Sequence, residues 1–392
     1  MIRRVEDLDL QDKTVFLRVD FNVPIEQGRV TETHRIESAL PTLRLILDRA
    51  NKLVVASHLG RPDGKVVPKY SLRPIRDLLE QLLKEPVLLA SDCIGPEVER
   101  AVQDPNQRVV LLENLRFHKE EEQNDTAFAK ALAGLADVYV DDAFGAAHRA
   151  HASISGMAAF FQQKGAGLLL RKELDYLSRL LSNPEKPFVT ILGGAKVSDK
   201  IGLVQNLLPK VNTLLIGGGM AYTFLKAKGV DIGQSLVESD KVLLARELLT
   251  QAEEQNVSTL LPVDHITGDS GKKSPRVCAG NIPADRMGLD IGPQTVAQFS
   301  REVKKAKMVL WNGPVGLFEV EPYNKGSQAL ALALAESYPE LVSVVAGGDT
   351  VAAVTAAGVE ARITHLSTGG GATLEFLEGK ELPGIKALEE HS

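Results

Sequence analysis

Arginine and histidine side chains that could bind an anion gather in the first half of the chain. Most follow short apolar runs, and they are Arg18, Arg35, His58, Arg61, Arg116, His148, Arg149 and His151. Arginine presents a planar fork of donors that matches carboxylate and phosphate oxygens. Taken singly, each is more often a surface residue paired with an acid, and His151 could equally be a structural histidine. As a group at strand ends they predict an anion pocket.

The second half of the chain carries four glycine clusters. They are Gly193-Gly194, Gly217-Gly218-Gly219, Gly347-Gly348 and Gly369-Gly370-Gly371, each between a strand-like run and a helical one. Glycine lets backbone N–H groups approach a phosphate, and the start of a helix adds a favourable dipole. One such turn is weak evidence because tight turns use glycine anyway. Four of them favour a phosphate-rich ligand such as a nucleotide.

Two lysines and one aspartate stand beside these glycines. Lys196 and Lys200 are four residues apart, a spacing that would place them on one face of a helix. Such a pair could neutralise charge during phosphoryl transfer, although a solvated helix face is the simpler alternative. Asp349 follows a strand-like run and could hold Mg²⁺ directly or through water. It could as easily be a helix N-cap.

Short β-branched runs alternate with helical spacing along the whole chain. The runs are 14–21, 53–58, 108–114, 137–143, 188–194, 213–219, 259–266, 308–313, 341–348 and 363–370. This alternation predicts parallel sheets, and near-continuous apolar strands predict helices on both faces. Ligands bind at the carboxyl ends of strands in such sheets, which is where the polar and glycine residues fall.

Ten strands are many for one open sheet, which favours two domains. A domain boundary is predicted near the middle of the chain. Residues 168–181 have a strong helical pattern, and the helix-stop sequence Ser-Asn-Pro-Glu-Lys-Pro follows at 182–187. We therefore predict two doubly wound, Rossmann-like α/β domains joined by a helix.

Composition excludes several classes of protein. The chain has 392 residues, 45 Lys+Arg against 51 Asp+Glu, and a net charge of −6, which disfavours nucleic-acid and anionic-membrane binding. Cys93 and Cys278 have no metal-site spacing, and no membrane-length apolar run occurs, so we expect a cytoplasmic protein. The P-loop and protein-kinase motifs are absent. The dinucleotide-binding motif is also absent, which argues against a dehydrogenase.

Long ordered segments then resemble the phosphoglycerate kinase family. They are RVDFNVP (18–24), SHLGRP (57–62), LLENLRFHKEEEQND (111–125), DDAFGAAHRAHAS (141–153), LGGAKVSDKI (192–201), IGGGMAYTFLKA (216–227), WNGPVGLFE (311–319), GGDTVAA (347–353) and STGGGATLEFLEGKELPG (367–384). The resemblance implies reversible, Mg²⁺-dependent phosphoryl transfer from 1,3-bisphosphoglycerate to ADP.

The resemblance also implies a domain plan and a set of site residues. Residues 1–167 would bind 3-phosphoglycerate, 168–182 form the joining helix, 183–370 bind the nucleotide, and 371–392 return to the N-terminal domain. Matching motif positions assign the acid to Asp20, Asn22, Arg35, His58, Leu59, Gly60, Arg61, Arg116 and Arg149. They assign the nucleotide to Lys200, Gly217, Gly218, Gly288, Asn312, Pro314, Glu319, Gly347, Gly348, Asp349 and Thr350, with Asp349 at the metal.

The catalytic residues implied in this way are Arg35, Lys196 and Lys200. The acceptor carboxylate is already ionised at neutral pH, so no general base is needed. Three positions depart from the usual pattern: His34, Asp141 and Ala346. The resemblance further implies a monomer. An inactive nucleotide or metabolite sensor of the same fold is the alternative, and the intact lysine pair argues against it.

Overall fold

The structure is a computed structural model that describes residues 2–390. The chain divides into two compact units, residues 2–175 with 381–390 and residues 176–380. Met1, His391 and Ser392, at the outer ends of the predicted domain segments, lie outside the described residues. Within 2–390, none of the helices combines the length and apolar character that a membrane span needs.

Strands and helices alternate along most of the described chain. The strands are β1 (Thr14–Arg18), β2 (Ile25–Glu26), β3 (Arg29–Val30), β4 (Lys52–Ala56), β5 (Val87–Leu89), β6 (Val109–Leu111), β7 (Val138–Asp141), β8 (Gln163–Ala166), β9 (Phe188–Leu192), β10 (Thr213–Ile216), β11 (Ser258–Leu260), β12 (Asp264–Gly268), β13 (Arg276–Ala279), β14 (Met287–Ile291), β15 (Met308–Asn312), β16 (Val342–Ala346) and β17 (His365–Leu366).

The α-helices fill the connections between these strands. They are α1 (His34–Arg49), α2 (Arg73–Leu83), α3 (Pro96–Gln103), α4 (Lys119–Glu122), α5 (Thr126–Ala133), α6 (Leu168–Ser182), α7 (Ile201–Leu207), α8 (Met220–Ala227), α9 (Val242–Glu254), α10 (Pro293–Lys305), α11 (Lys325–Glu336), α12 (Gly348–Ala356), α13 (Gly371–Leu377) and α14 (Pro383–Leu388). A π-helical turn at Ala152–Gly156 lies between β7 and β8.

The first unit is built on a six-stranded parallel sheet in the order β5-β6-β4-β1-β7-β8. The central strand β4, with the sequence KLVVA, is buried at all five positions, as expected of a strand covered on both faces. Val15, Leu53 and Val55 pack with Ile36 and Leu43 of α1 in the core of this unit.

The second unit contains another six-stranded parallel sheet, in the order β11-β10-β9-β15-β16-β17. Val189 and Trp311 of its central strands pack with Phe299 of α10 and Leu330 of α11. The chain between β11 and β15 forms a separate three-stranded antiparallel sheet, in the order β13-β12-β14. The two parallel sheets with their helices confirm the predicted fold class.

The boundaries of individual strands differ from the sequence prediction. Residues 259–266 form two strands rather than one, because Pro262 between β11 and β12 has no N–H to donate to a ladder. The first strand ends at Arg18, three residues before the predicted end at Phe21. The short β5 and β8, the β2-β3 hairpin and the antiparallel strands β13 and β14 were not predicted.

The C-terminal segment contributes to both units in turn. Helix α13 belongs to the second unit, where Asn206 in α7 donates to the carbonyl oxygen of Leu377 at 2.7 Å. Residues from Glu381 onward belong to the first unit, and the amide of Gly384 donates to the carbonyl oxygen of Ala147 at 2.9 Å. The division between the units otherwise falls within α6. The ligand assigned to each domain stays a prediction.

Candidate functional site

Four neighbouring strands of the first unit carry the predicted anion-binding residues just beyond their carboxyl ends. In the order β6-β4-β1-β7 these strands lie side by side, all parallel. Asp20 and Asn22 follow β1, His58 to Arg61 follow β4, Arg116 follows β6, and Arg149 lies in the segment after β7. Since carboxyl ends of parallel strands share one edge of the sheet, the predicted residues come from one rim.

Hydrogen bonds join four of the predicted residues in two pairs. The Nη1 atom of Arg35, near the start of α1, donates to Oδ2 of Asp20 at 2.9 Å. The Oδ1 atom of Asn22 accepts from the amide of Gly60 at 2.9 Å. Arg35 is one-third exposed, so part of its guanidinium remains accessible to a ligand. The loops after β1 and β4 are thereby held together at the rim.

Asn114, which was not among the predicted site residues, holds the loop after β4. Its Oδ1 atom accepts from the amides of Leu59 and Arg116, both at 3.1 Å, and its Nδ2 atom donates to the Leu59 carbonyl at 2.7 Å. Arg116 Nη1 in turn donates to the Gly60 carbonyl at 2.8 Å. The signal for Asn114 was its place after a strand-like run, but its partners 55 residues away are visible only in the fold.

Positive charge concentrates around His58. Burial lowers the pKa of His58 well below its usual value, and the nearby Arg18, Arg116, His151 and Arg149 lower it further. Burial also lowers the pKa of Arg116. The imidazole is therefore neutral among guanidinium groups. Such an excess of buried donors and positive charge fits an anionic ligand.

The remaining predicted residues of this rim are more accessible. Arg61 is exposed in the loop after β4. Arg149 is half-buried, and its Nε atom donates to Nε2 of His148 at 3.3 Å. Both side chains are therefore more exposed than that of Arg116, which is buried.

The glycine clusters of the second unit lie at the carboxyl ends of its parallel strands. The amide of Gly194 donates to the Pro314 carbonyl, and that of Gly218 to the Val315 carbonyl, both at 2.9 Å. A methyl group on Gly218 would lie 2.7 Å from the amide nitrogen of Gly194. These glycines therefore serve close packing between loops, and those two amides do not face a phosphate, contrary to the prediction from sequence.

Lys196 and Lys200 do not share a helix face. Helix α7 begins at Ile201, so Lys200 is its N-cap residue and Lys196 lies in the preceding loop. The positive φ of Gly194, 94°, and the bonds from Ser198 to Glu238, at 3.1 Å and 2.6 Å, keep this loop out of helical conformation. Lys196 is exposed, whereas the half-buried ammonium of Lys200 donates to Asn312 Oδ1.

Burial and neighbouring carboxylates act in opposite directions on the ammonium group of Lys200. Burial lowers the pKa of Lys200, while Asp199, Asp349 and Glu378 partly offset this effect. Asn312, at the end of β15, also donates through Nδ2 to the Ala346 carbonyl at 2.9 Å. The Lys200 ammonium and the Asn312 amide are thus positioned at one strand end.

Helix α12 starts directly after β16 at the same edge. Gly347 has φ 93°, and Gly348 and Asp349 form the first turn, where amides lack intrahelical partners. Asp349 is exposed and is not the N-cap, which is Gly347. Thr350 Oγ1 accepts from the amide of Gly313 at 2.7 Å. This turn offers amides to an anion and one accessible carboxylate.

Gly288, Pro314 and Glu319 belong to other segments of the second unit. Gly288 lies in β14, where its amide donates to Ser235 Oγ at 2.9 Å and a methyl group would overlap the Tyr222 hydroxyl. Pro314 is buried beside the glycine loops, and Glu319 is exposed. The absence of a side chain at Gly288 keeps the backbone of β14 close to α8.

Three potential metal ligands lie together elsewhere in the first unit. Ligand atoms of Asp92, Cys93 and His118 are within 4.8 Å of one another. His118 Nε2 is 2.6 Å from Asp92 Oδ1, and Cys93 Sγ donates to the Glu113 carbonyl at 3.0 Å. These internal hydrogen bonds account for the cluster, so we assign no ion to it.

Comparisons with known proteins identify the family of this chain. The family model for phosphoglycerate kinase matches residues 5–380. Proteins named phosphoglycerate kinase from Koribacter versatilis and Anaeromyxobacter sp. are each 53% identical over 396 residues. The alignments cover 98% of both chains for the first, and 99% of this chain and all of the relative for the second.

Solved structures give the same result. Phosphoglycerate kinase from Coxiella burnetii is 41% identical, with a TM-score of 0.88 and 99% of each chain covered. The enzyme from Pyrococcus horikoshii is 32% identical, with a TM-score of 0.85, and the match covers 99% of this chain and 98% of that one. By family model, sequence and fold, the chain belongs to the phosphoglycerate kinase family.

Proposed function

We propose that this chain catalyses the reversible transfer of a phosphoryl group from 1,3-bisphosphoglycerate to ADP, giving 3-phosphoglycerate and ATP. In this reaction a terminal oxygen of ADP forms a bond to the acyl phosphorus, and the bond from that phosphorus to the acyl oxygen breaks. The released carboxylate keeps the electron pair. No proton has to be removed from the attacking group in either direction, because phosphate and carboxylate oxygens are ionised at neutral pH.

The first unit binds the three-carbon acid in this proposal. The contacts that support it are the charged rim formed by Asp20, Arg35 and Arg116, and the neutral His58 beside them. Arg61 and Arg149 are accessible partners for the phosphate of the substrate. Asn22, Leu59 and Gly60 shape the loops that hold these side chains.

The second unit binds the nucleotide. Lys200, Asn312 and the first turn of α12 supply donors for its phosphates, because they share the carboxyl edge of the sheet. The phosphate-binding segment is 347–350. The other residues that the resemblance assigns to the nucleotide lie in further segments of the second unit and are Gly217, Gly218, Gly288, Pro314 and Glu319.

Charge neutralisation supplies most of the catalysis in this proposal. The transferred group carries its negative charge on three equatorial oxygens, and positioned cations stabilise it. Lys196 is the exposed cation of the loop before α7, and Arg35 is the partly exposed cation of the first unit. Removal of one such donor typically lowers the rate about 10²–10³-fold.

Mg²⁺ would enter the site bound to the nucleotide, and the carboxylate of Asp349 is a suitable ligand for it. Mg²⁺ keeps several waters and is usually held by one or two carboxylates together with substrate phosphates. Asp349 is exposed in the first turn of α12, so its oxygen is available to such an ion. When bound, the ion would neutralise charge on the nucleotide phosphates.

We further propose a cytoplasmic monomer with small-molecule substrates and no nucleic-acid or membrane partner. The net charge of −6 supports the absence of a polyanionic partner. Full-length relatives named for the enzyme leave the alternative of an inactive sensor without support.

The full-length match of sequence and fold to phosphoglycerate kinases is the observation that carries this proposal. The test is turnover of 3-phosphoglycerate with MgATP, measured by coupling the acyl phosphate formed to a reductive dehydrogenase step. We expect saturable turnover that needs both substrates and Mg²⁺, and that falls at least about 10²-fold in Lys200→Ala. Nucleotide binding without any turnover would support the sensor instead.

A further inference from the structure

A chain of four buried side chains runs behind the anion-binding rim of the first unit. Glu121 Oε1 accepts from Ser153 Oγ at 2.6 Å, and Glu121 Oε2 accepts from the Ser153 amide at 2.9 Å. Arg18 Nε donates to Ser153 Oγ at 2.8 Å, and Arg18 Nη2 is 3.2 Å from His58 Nδ1. Glu121, Ser153 and Arg18 are fully buried, so water does not compete for these bonds.

The direction of every bond in this chain is fixed by chemistry. A guanidinium has donors and no acceptor, so Ser153 Oγ and His58 Nδ1 must both accept from Arg18. Ser153 has one hydroxyl proton, which is left for the carboxylate of Glu121. A histidine whose Nδ1 accepts carries its single proton on Nε2. The network therefore selects a neutral His58 with a donor at Nε2.

The charges of the network balance within the interior. Arg18 also donates to the carbonyl oxygen of Val19, so all three sides of its guanidinium are engaged. Glu121 is the buried carboxylate that faces this charge through Ser153. Removing one partner of such a pair would leave a buried group without its bond.

We propose that Glu121 and Ser153 are positioning residues that act through Arg18 to hold His58 with its proton on Nε2, as a donor to the anionic three-carbon substrate. This inference rests on the proposed function, which assigns His58 to that substrate. Neither Glu121 nor Ser153 touches the substrate in this proposal. Their effect is to fix the orientation and the tautomer of the ring that does.

The first test is the tautomer of His58 in the free wild-type protein. Two-bond ¹⁵N–¹H couplings in ¹⁵N-histidine-labelled protein distinguish the two neutral tautomers and the charged ring. His58→Gln identifies the signal of this residue among the eight histidines. We expect the Nε2–H tautomer at pH 7. A protonated ring, or a proton on Nδ1, overturns the proposal without any further variant.

The second test compares Ser153→Ala with Ser153→Thr, which keeps the hydroxyl group. Loss of a bond to a charged group is worth about 1.5–3 kcal/mol, which corresponds to roughly 10- to 100-fold in affinity. We expect Ser153→Ala to weaken 3-phosphoglycerate binding by at least about tenfold and to add the second tautomer to the His58 signal, with MgATP affinity unchanged. Ser153→Thr should restore both readouts toward wild type.

Ser155→Ala is the matched control, because Ser155 lies in the same π-helical turn and its hydroxyl bonds only the nearby His151 carbonyl, at 3.2 Å, among the described residues. We expect it to leave the tautomer and both affinities unchanged. A loss in Ser155→Ala equal to that in Ser153→Ala overturns the proposal, because it would reflect damage to the turn. Glu121→Gln gives the same comparison if Ser153→Ala does not fold.

The two proposals fail in different ways. If His58→Gln binds 3-phosphoglycerate as tightly as wild type, the assignment of His58 under the proposed function is wrong. If His58→Gln weakens binding but Ser153→Ala changes neither the tautomer nor the affinity, the positioning role of Ser153 and Glu121 is wrong, and the proposed function stands.

Discussion

Replacing Asp141 by asparagine tests how much a buried carboxyl group destabilises the first unit at neutral pH. Asp141 ends β7, beside Arg18 of β1 in the parallel register. Its Oδ1 atom accepts from the amide of Ala143 at 2.9 Å, while its buried Oδ2 atom has no partner among the described residues. An asparagine keeps the acceptor oxygen for Ala143 and removes the ionisable group.

The size of the effect follows from the pKa of this side chain. Burial raises the pKa of Asp141 from 3.8 to about 7, although the Ala143 amide and Arg18 oppose the rise. At a pH between these two pKa values, the carboxyl group of Asp141 is protonated in the folded protein and ionised in the unfolded chain. Ionisation therefore destabilises the fold increasingly as pH rises from about 4 through about 7. The shift is roughly three pH units, and each unit corresponds to about 1.4 kcal/mol. Ionisation of Asp141 therefore lowers the free energy of unfolding by about 4 kcal/mol at most.

Urea unfolding followed by far-ultraviolet circular dichroism measures this difference. Trp311 lies in the second unit, so its fluorescence would not report on the first. We expect Asp141→Asn to raise the urea midpoint above wild type at pH 8, and the gain to disappear near pH 4. Asp48→Asn, at an exposed carboxyl of α1, is the control and should show no such pH-dependent gain. A variant no more stable than wild type at pH 8 would show that ionisation of Asp141 does not destabilise the fold.

Two further predictions concern turnover and motion. Lys196→Ala should lower kcat about 10²–10³-fold with little loss of nucleotide affinity, because the proposed function has this exposed lysine meet the transferred group only during reaction; a near-normal kcat in steady-state assays would contradict this role. If each unit binds one substrate, as proposed, transfer requires the units to close, with α6 and the 367–368 turn as hinges. Solution scattering should then show compaction when 3-phosphoglycerate and nucleotide are both bound; an unchanged radius of gyration would contradict closure.

The sequence predicted the parts of the fold that depend on local pattern. Continuous apolar runs predict a parallel sheet that is covered on both faces. The strands β4 and β15 are such runs, and both are buried at every position. Polar residues after those runs predicted the rim of the first unit. Short strands such as β5, with three residues, carry too little pattern to be recognised.

The parts that escaped prediction depend on tertiary contacts. The lysine pair was expected on one helix face, but the bonds between Ser198 and Glu238, 40 residues apart, hold a loop there. Glu121 and Ser153 gave no sequence signal because their partner Arg18 lies more than 100 residues from either. The roles of the assigned site residues and the predicted domain boundaries stay predictions.

The most direct test of the account is a crossed calorimetric titration of two variants with two ligands. Arg61→Ala, in the first unit, should lose affinity for 3-phosphoglycerate and keep wild-type affinity for MgADP. Lys200→Ala, in the second unit, should show the opposite pattern. If either variant loses both ligands equally while remaining folded, or if the pattern is reversed, the assignment of one substrate to each unit is wrong.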